Sequence, residues 1–424
     1  MVTTKDKFAP VFGRVSPFLT KLHQMEADGT YFWGRQLEAG SAAKTRAAGR
    51  DVILLASNNY LGLTTHPKVV AAAQEAVKLY GFGSGSARVL SGTMRAHREL
   101  EEKLAWFKGA EDCLLYSTGY MANVGLISSL VGPGDTVILD SLDHASIIDG
   151  ARMSGARMRV FKHNNLADLR KKLGAVSPDR LCLVVADGVF SMDGDLCDLP
   201  GLVQLSEKYG FILMLDDAHG TGVLGATGRG TCEHFHLEGR VDLVMGTLSK
   251  SLAGVGAFVT GSKDLTFYLR HASRPFIFNT SLPPAACAAA SAAIDVLIEE
   301  PELLTRLREN ADHLRNGLER LGFDTLDSSV TPIIPVLIGD EYKLTRITRR
   351  LFERGIMASA VIWPACRKNS SRLRMSVMAT HTRDDLDYVL AVMEDIHREF
   401  GPFKYVREAA AENFIGLEEE LQEA

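Results

Sequence analysis

Nothing in these 424 residues stays apolar for long. Gly, Pro or a polar residue interrupts each hydrophobic run before it could span a bilayer, so no transmembrane segment is expected. The N-terminus, "MVTTKDKFAPVFGRV", lacks the apolar core of a secretory signal. Cysteine is sparse and unpatterned. Cys113, Cys182, Cys197, Cys232, Cys287 and Cys366 form no C-x-x-C pair, which argues against a disulfide framework and for reduced thiols in the cytoplasm. An excess of positive charge is also missing. The formal net charge is −5, so no basic field draws in nucleic acid or an anionic membrane. No repeat or low-complexity stretch interrupts the chain. What remains is an ordinary globular balance, 46% hydrophobic and 23% charged. The length exceeds one hydrophobic core, which predicts a large domain and a smaller one.

Strand and helix patterns alternate from about residue 68. "DCLLYS" (112–117), "TVILD" (136–140), "RLCLVVAD" (180–187), "FILMLDDA" (211–218) and "VDLVMGT" (241–247) read as buried strands. "KVVAAAQEAVKLY" (68–80), "MANVGLISSLV" (121–131), "HASIIDGARMSG" (144–155) and "LPGLVQLSEKYG" (199–210) read as helices. "GAFVTGS" (256–262) is expected to pair antiparallel with its neighbour. This rhythm predicts an α/β fold: a mostly parallel central sheet with helices on both faces. A long helix over 283–300 closes the large part. Helices at 302–321, 342–354 and 383–399 with a strand at 332–340 follow as a smaller α+β domain. The expected organisation is an N-terminal segment (1–60), a large domain (61–300), a small C-terminal domain (301–405) and an acidic helical tail (406–424).

Ligands of such sheets bind at the C-terminal ends of the strands, and the polar clusters fall there. "GFGSGSARVLSG" (81–92) is glycine-rich but lacks G-x-G-x-x-G and follows a helix, so it is no dinucleotide signature. "YSTGYMAN" (116–123) turns from strand to helix, placing the Gly119 and Tyr120 N–H groups where a phosphate can sit. "DGVFSMDGD" (187–195) offers Ser191 as a donor or is simply an acidic turn. In "LDDAHGTGVLGATGRG" (215–230) two aspartates end an apolar strand and His219 follows; a buried carboxylate there needs a partner. His234 and His236 in "EHFH" fit no standard zinc spacing, so no metal is expected.

Lys250 is the only charge in the twenty residues 243–262, "LVMGTLSKSLAGVGAFVTGS". A desolvated lysine loses its proton more readily and becomes an amine nucleophile able to form a Schiff base. A snorkelling or helix-end lysine fits its neighbours equally well. The set decides more than the residue. A phosphate-binding helix start, a strand-end Asp, a His and a desolvated Lys flanked by Thr247 and Ser249 are what pyridoxal 5′-phosphate (PLP) needs.

"LDDAHGTGVLGATGRG", "GTLSKSLAGVGAF" (246–258) and "RPFIFNTSLPP" (274–284) resemble the signatures of the α-oxoamine synthases, fold-type I PLP enzymes. The resemblance runs from "SNNYLGL" (57–63) to "MATHTRDDLDYVL" (378–390). It implies Lys250 as the Schiff-base lysine, Asp216 beside the pyridine nitrogen, His219 on the phenolic oxygen and His144 stacked on the ring. It places Gly119, Tyr120, Ser191, Thr247 and Ser249 around the cofactor and its phosphate, and Asn58 on the substrate side. Thr280 and Ser281 match a segment that reaches the partner subunit's phosphate in that family, which implies a homodimer with shared sites. The implied reaction is a decarboxylative Claisen-type condensation of Ser, Gly or Ala with an acyl-CoA, or another acyl thioester, most like that of the serine palmitoyltransferases or 8-amino-7-oxononanoate synthases; "TPIIPVLIGDE" (331–341) and "SVMATHT" (376–382) lean towards the serine-palmitoyltransferase-like members. Members that bind the substrate carboxylate through an R-P-P-type stretch have an Arg where this chain has Ile362. Arg374 in "SRLRMS" matches a second carboxylate-binding arginine, and Arg367 is the fallback. The competing readings are 2-amino-3-ketobutyrate CoA ligase chemistry, an aminotransferase on the same cofactor cradle, and a nucleotide-binding α/β protein.

Overall fold

The computed structural model describes residues 4–403, apart from 327 and 364; the tail at 406–424 lies outside the described residues. Strands β1 (Lys44–Ala47) and β2 (Arg50–Leu54) precede the main sheet. That sheet uses β3 (Asp112–Tyr116), β4 (Thr136–Asp140), β5 (Arg157–Phe161), β6 (Cys182–Asp187), β7 (Ile212–Asp216), β8 (Leu243–Thr247) and β9 (Ala257–Gly261). Their spatial order is β3-β9-β8-β7-β6-β4-β5. The pairs β4–β5, β4–β6, β6–β7 and β7–β8 are parallel. β9 runs antiparallel to both its neighbours, β8 and β3. The strands β4 and β8 are buried throughout, because helices cover both faces of the sheet.

The later part of the chain contributes β10 (Ile333–Gly339), β11 (Ile356–Met357), β12 (Ser359–Val361) and β13 (Ser371–Ser376) to two smaller sheets. β10, β13 and β12 form an antiparallel sheet, while β11 joins β2 in parallel. The N-terminal segment therefore shares a sheet with the C-terminal region. The helices Glu302–Arg320, Glu341–Glu353 and Arg383–Phe400 pack on this end around Leu314, Val336, Leu344, Met375 and Leu386. Ile362 is buried in that same core, away from solvent.

Several elements escape the periodicity reading: the helices Thr4–Ala27, Arg95–Lys108, Leu166–Leu173 and Lys263–Ala272, and strand β5. Thr4–Ala27 carries Pro10 and Pro17 and keeps most of its surface in solvent, so no apolar period marks it strongly. Arg95–Lys108 is masked by charge, although Ala96, Leu100, Leu104 and Phe107 form its buried stripe. Among the described residues no helix is long and apolar enough to cross a membrane.

Candidate active site

The parallel strands bring their C-terminal ends together, and the chemistry-bearing residues sit there. Strand pairing places Asp187, at the end of β6, beside Asp216, at the end of β7. Thr247 ends β8, and Lys250 follows three residues later. Each parallel strand must pass into a loop on this edge, so adjacent strands deliver polar ends to one cleft.

Asp216 is buried. One carboxylate oxygen accepts from the Ala218 N–H at 3.0 Å, the other from Asn123 Nδ2 at 2.7 Å. Burial raises its pKa, while the Lys250 ammonium and the Asn123 bond oppose the rise. Lys250 is half-buried. Desolvation lowers its pKa to about 8; Asp216 and Asp187 oppose that fall and Arg374 adds to it. An amine with that pKa is partly neutral near physiological pH, as a nucleophile or base must be. Asp187 is buried, and one of its carboxylate oxygens has no hydrogen-bond partner among the described residues. Desolvation, then the neighbouring Asp216, raises its pKa well above the usual carboxylate range.

His144 caps the helix Ala145–Ser154. The Ser146 N–H donates to its Nδ1 at 3.3 Å, so Nδ1 is an acceptor and the ring proton sits on Nε2. Asn123 Nδ2 also donates to Ser146 Oγ at 2.9 Å, and Ser146 Oγ lies 2.7 Å from His144 Nδ1. A hydrogen-bonded chain thus runs from the buried Asp216, Asn123 and Ser146 out to the exposed His144. Asn123 and Ser146 were not singled out from sequence. Asn123 stands one helical turn beyond Gly119, on a helix whose start was already of interest. Burial lowers the His144 pKa, and pushes that of His219 well below the ordinary imidazole range with help from Lys250 and Arg374.

The helix Gly119–Leu130 begins where β3 ends. Its cap, Thr118, accepts from the Met121 N–H, which leaves the Gly119 and Tyr120 amides at an open helix start. A Cβ built on Gly119 would meet only Thr247 Oγ1, at 3.9 Å. Thr247 Oγ1 lies 2.7 Å from Ser249 Oγ. The Tyr120 hydroxyl donates to Asp149. The buried Ser281 hydroxyl has no hydrogen-bond partner among the described residues, and the Thr280 carbonyl accepts from Ser117 Oγ at 2.8 Å. The glycine-rich loop 81–92 packs on this segment through an Ala87–Thr280 bridge. Gly92 is obligatory there: a Cβ would stand 2.2 Å from the Ser86 carbonyl oxygen.

On the opposite wall, Arg374 of β13 donates through Nε to the Ser191 carbonyl at 2.6 Å and through both terminal nitrogens to Asn58 Oδ1, each at 3.1 Å. Arg372, two residues earlier on the same strand, pairs with Asp193. Arg367 lines a cavity of about 330 Å³ with Leu142, Phe190 and Ser191.

The family model "Aminotransferase class I and II" matches residues 50–393. The 8-amino-7-oxononanoate synthase of Geobacter sulfurreducens is 47% identical over 384 residues, covering 90% of this chain and 98% of that one. The corresponding enzyme of Thermoanaerobacter pseudethanolicus is 45% identical over 380 residues, 89% of this chain and 96% of its own. A solved serine palmitoyltransferase carrying its PLP internal aldimine superposes with a TM-score of 0.89 at 35% identity, over 92% of this chain and 99% of that one.

The chain belongs to the α-oxoamine synthases. It is a PLP-dependent acyltransferase of fold type I. The donor set fits that cofactor: a lysine of lowered pKa, a buried carboxylate whose oxygens each keep a free lone pair, and a helix start beside hydroxyls with no obstructing side chain. As an α-oxoamine synthase it acts on an amino acid and an acyl substrate.

Proposed function

We propose that this enzyme joins the α-carbon of a small amino acid to an acyl group carried on CoA, releasing CO2 and free CoA and leaving an α-amino ketone. The observation that carries this reading is the lysine of pKa about 8 among Asp216, Asp187 and Arg374 in a chain 47% identical to an 8-amino-7-oxononanoate synthase. The relative's product name narrows the substrates. Broken between C7 and C8, that product gives a two-carbon amine fragment and a seven-carbon acyl group ending in a carboxylate. Alanine supplies the first once its carboxyl leaves. The second is a seven-carbon dicarboxylic acid activated at one end. A serine and long-acyl pairing is the second reading, favoured by the likeness to serine palmitoyltransferase.

When bound, PLP supplies an aldehyde that condenses with amines and a ring that takes up the electron pair left by a departing Cα proton. Lys250 would hold the aldehyde in the resting enzyme. As a neutral amine it then takes the Cα proton and later returns one. Asp216 would hold the proton on the ring nitrogen, with Asn123 fixing the carboxylate. His144 would pack against the ring, and His219 would donate to its phenolic oxygen. The Gly119 and Tyr120 amides with Thr247 and Ser249 would hold the phosphate, with Ser191 as a further contact. Arg374 would take the substrate carboxylate by giving up its two donors to Asn58 Oδ1, turning both terminal nitrogens to the incoming oxygens; Arg367 is the fallback.

The working unit is a homodimer in the cytoplasm. Phe82, Leu90 and Phe278 are 80%, 79% and 73% exposed around the bridged 81–92 and 278–281 segments, an apolar surface of the kind subunit interfaces cover. There Thr280 and Ser281 would reach the phosphate of the neighbouring site. The six thiols are free of disulfides, which suits a reducing compartment.

The test is a matrix of Ala, Gly and Ser against a seven-carbon dicarboxylic acyl-CoA and palmitoyl-CoA, reading CO2 and free thiol. Alanine with the dicarboxylic thioester should turn over fastest. Turnover only with serine and palmitoyl-CoA selects the second reading. Formation of a keto acid without free CoA would overturn both.

A further inference from the structure

The residues singled out from sequence omit Tyr60, yet it stands between two of them. Its side chain is fully buried. Its hydroxyl lies 2.7 Å from His219 Nδ1, 3.4 Å from Arg374 Nη2 and 3.2 Å from Asn58 Oδ1. The hydroxyl has one hydrogen and three neighbours, and simple valence decides where it goes. A guanidinium only donates, so Tyr60 Oη accepts from Arg374. Asn58 Oδ1 already receives Arg374 Nη1 and Nη2, each at 3.1 Å, which fills its two lone pairs. These two donors also fix which end of the Asn58 amide is oxygen. The Tyr60 hydrogen is left for His219 Nδ1, at the shortest of the three distances.

We infer that Tyr60 is a positioning residue that fixes His219 as its Nε2–H tautomer and ties that tautomer to Arg374. A ring that accepts at Nδ1 and carries one proton must carry it on Nε2. His219 then offers an N–H donor, which is what a phenolic oxygen of the cofactor needs. The other tautomer would set a lone pair against that oxygen. His144 reaches the same state by a separate route, through the Ser146 backbone N–H. Both histidines thus keep Nδ1 engaged with protein and Nε2–H in reserve. The tautomer assignment stands on hydrogen bonds alone. A further consequence rests on the proposed function: a substrate carboxylate at Arg374 competes for the guanidinium that donates to Tyr60, so substrate arrival is felt at His219.

The test uses the full chain labelled with ¹⁵N-histidine, with and without PLP. His219→Asn assigns the His219 signals by their disappearance. The expected wild-type spectrum, in the apo form before any substrate, has a bare Nδ1 and a protonated Nε2. Tyr60→Phe should move proton occupancy towards Nδ1 and lower kcat about tenfold, the scale of lost outer-sphere support, with a smaller change in KM. A protonated Nδ1 in the wild type, or a Tyr60→Phe spectrum unchanged at His219, would overturn the assignment whatever the enzyme's substrates prove to be. Neutron diffraction from wild-type crystals places the same proton without a variant, should Tyr60→Phe fold poorly. Titration of the loaded enzyme with alanine, glycine or serine should perturb the His219 signals in wild type and not in Tyr60→Phe. An equal response in both removes the link to Arg374.

Discussion

Asp216 and Asp217 are neighbours in sequence, both buried, and their surroundings make them opposites. Asp217 is closed. Lys108, 4% exposed, meets it at 2.7 Å, and Thr221 and Thr231 bond it at 2.9 and 2.6 Å. The glycine-rich loop wraps tightly around it: a Cβ on Gly220 or Gly230 would stand 2.0 or 1.9 Å from its oxygens. Much of "GTGVLGATGRG" is therefore a structural sleeve for one ion pair. Asp216 is open. It has Asn123 and an amide for partners, while Lys250 is near enough to shift its titration without forming an ion pair with it. A lysine and aspartate locked together hold a fold. A lysine and aspartate kept apart leave an amine and a carboxylate available for the roles proposed for them.

The largest expected effect falls on the open pair's activity. Lys250→Ala should lower CoA release by roughly 10³-fold or more, the scale of losing a general base, and abolish the visible cofactor band, with the fold intact by circular dichroism. The closed pair should show the reverse. Lys108→Met leaves Asp217 charged and unpaired in the interior, and should cost about 3–5 kcal/mol in urea unfolding. Asp216→Asn replaces one acceptor oxygen by an NH2 facing a donor and should cost about 1–3 kcal/mol of apoprotein stability, less than Lys108→Met, while eliminating most activity. Equal stability losses at both sites would erase the contrast.

Smaller effects appear as slopes against pH. Lys250 binds its proton more weakly folded, at about 8, than the usual 10.5 of an unfolded chain. Between those values the unfolded state holds more protons, so apoprotein stability rises with pH across that window. Lys250→Met should flatten the rise in thermal midpoint between pH 8 and 10. His163 gives the opposite sign. Burial opposes its charge, but Asp140 at 3.0 Å and Asp195 at 2.8 Å outweigh burial and raise its pKa to about 9. Its stabilisation is complete below about 6.5 and fades as pH climbs to 9. His163→Gln should remove that decline, and a decline that survives would place it elsewhere.

Much of this was legible along the chain. The apolar runs that become β4, β6, β7 and β8 are buried on both faces, so composition alone marks them. The helix Arg95–Lys108 was not, because its polar face outnumbers the stripe that packs. It is also the helix that delivers Lys108 to Asp217, so the closed pair was invisible from sequence while the open one was not. Lys250 announced itself by the lack of any other charge around it. Lys108 sits in a charged helix and announces nothing.

The sequence by itself determined the βα rhythm, the polar strand ends and the dry setting of Lys250, since each depends on residues within one short window. Only the tertiary structure decided which aspartate is free, that Asn123 and Ser146 link Asp216 to His144, and that Tyr60 joins Arg374 to His219. Those partners lie up to 314 residues apart, between Tyr60 and Arg374. Hydrogen-bond direction is a property of atoms in contact, and contact at that separation is made by the fold.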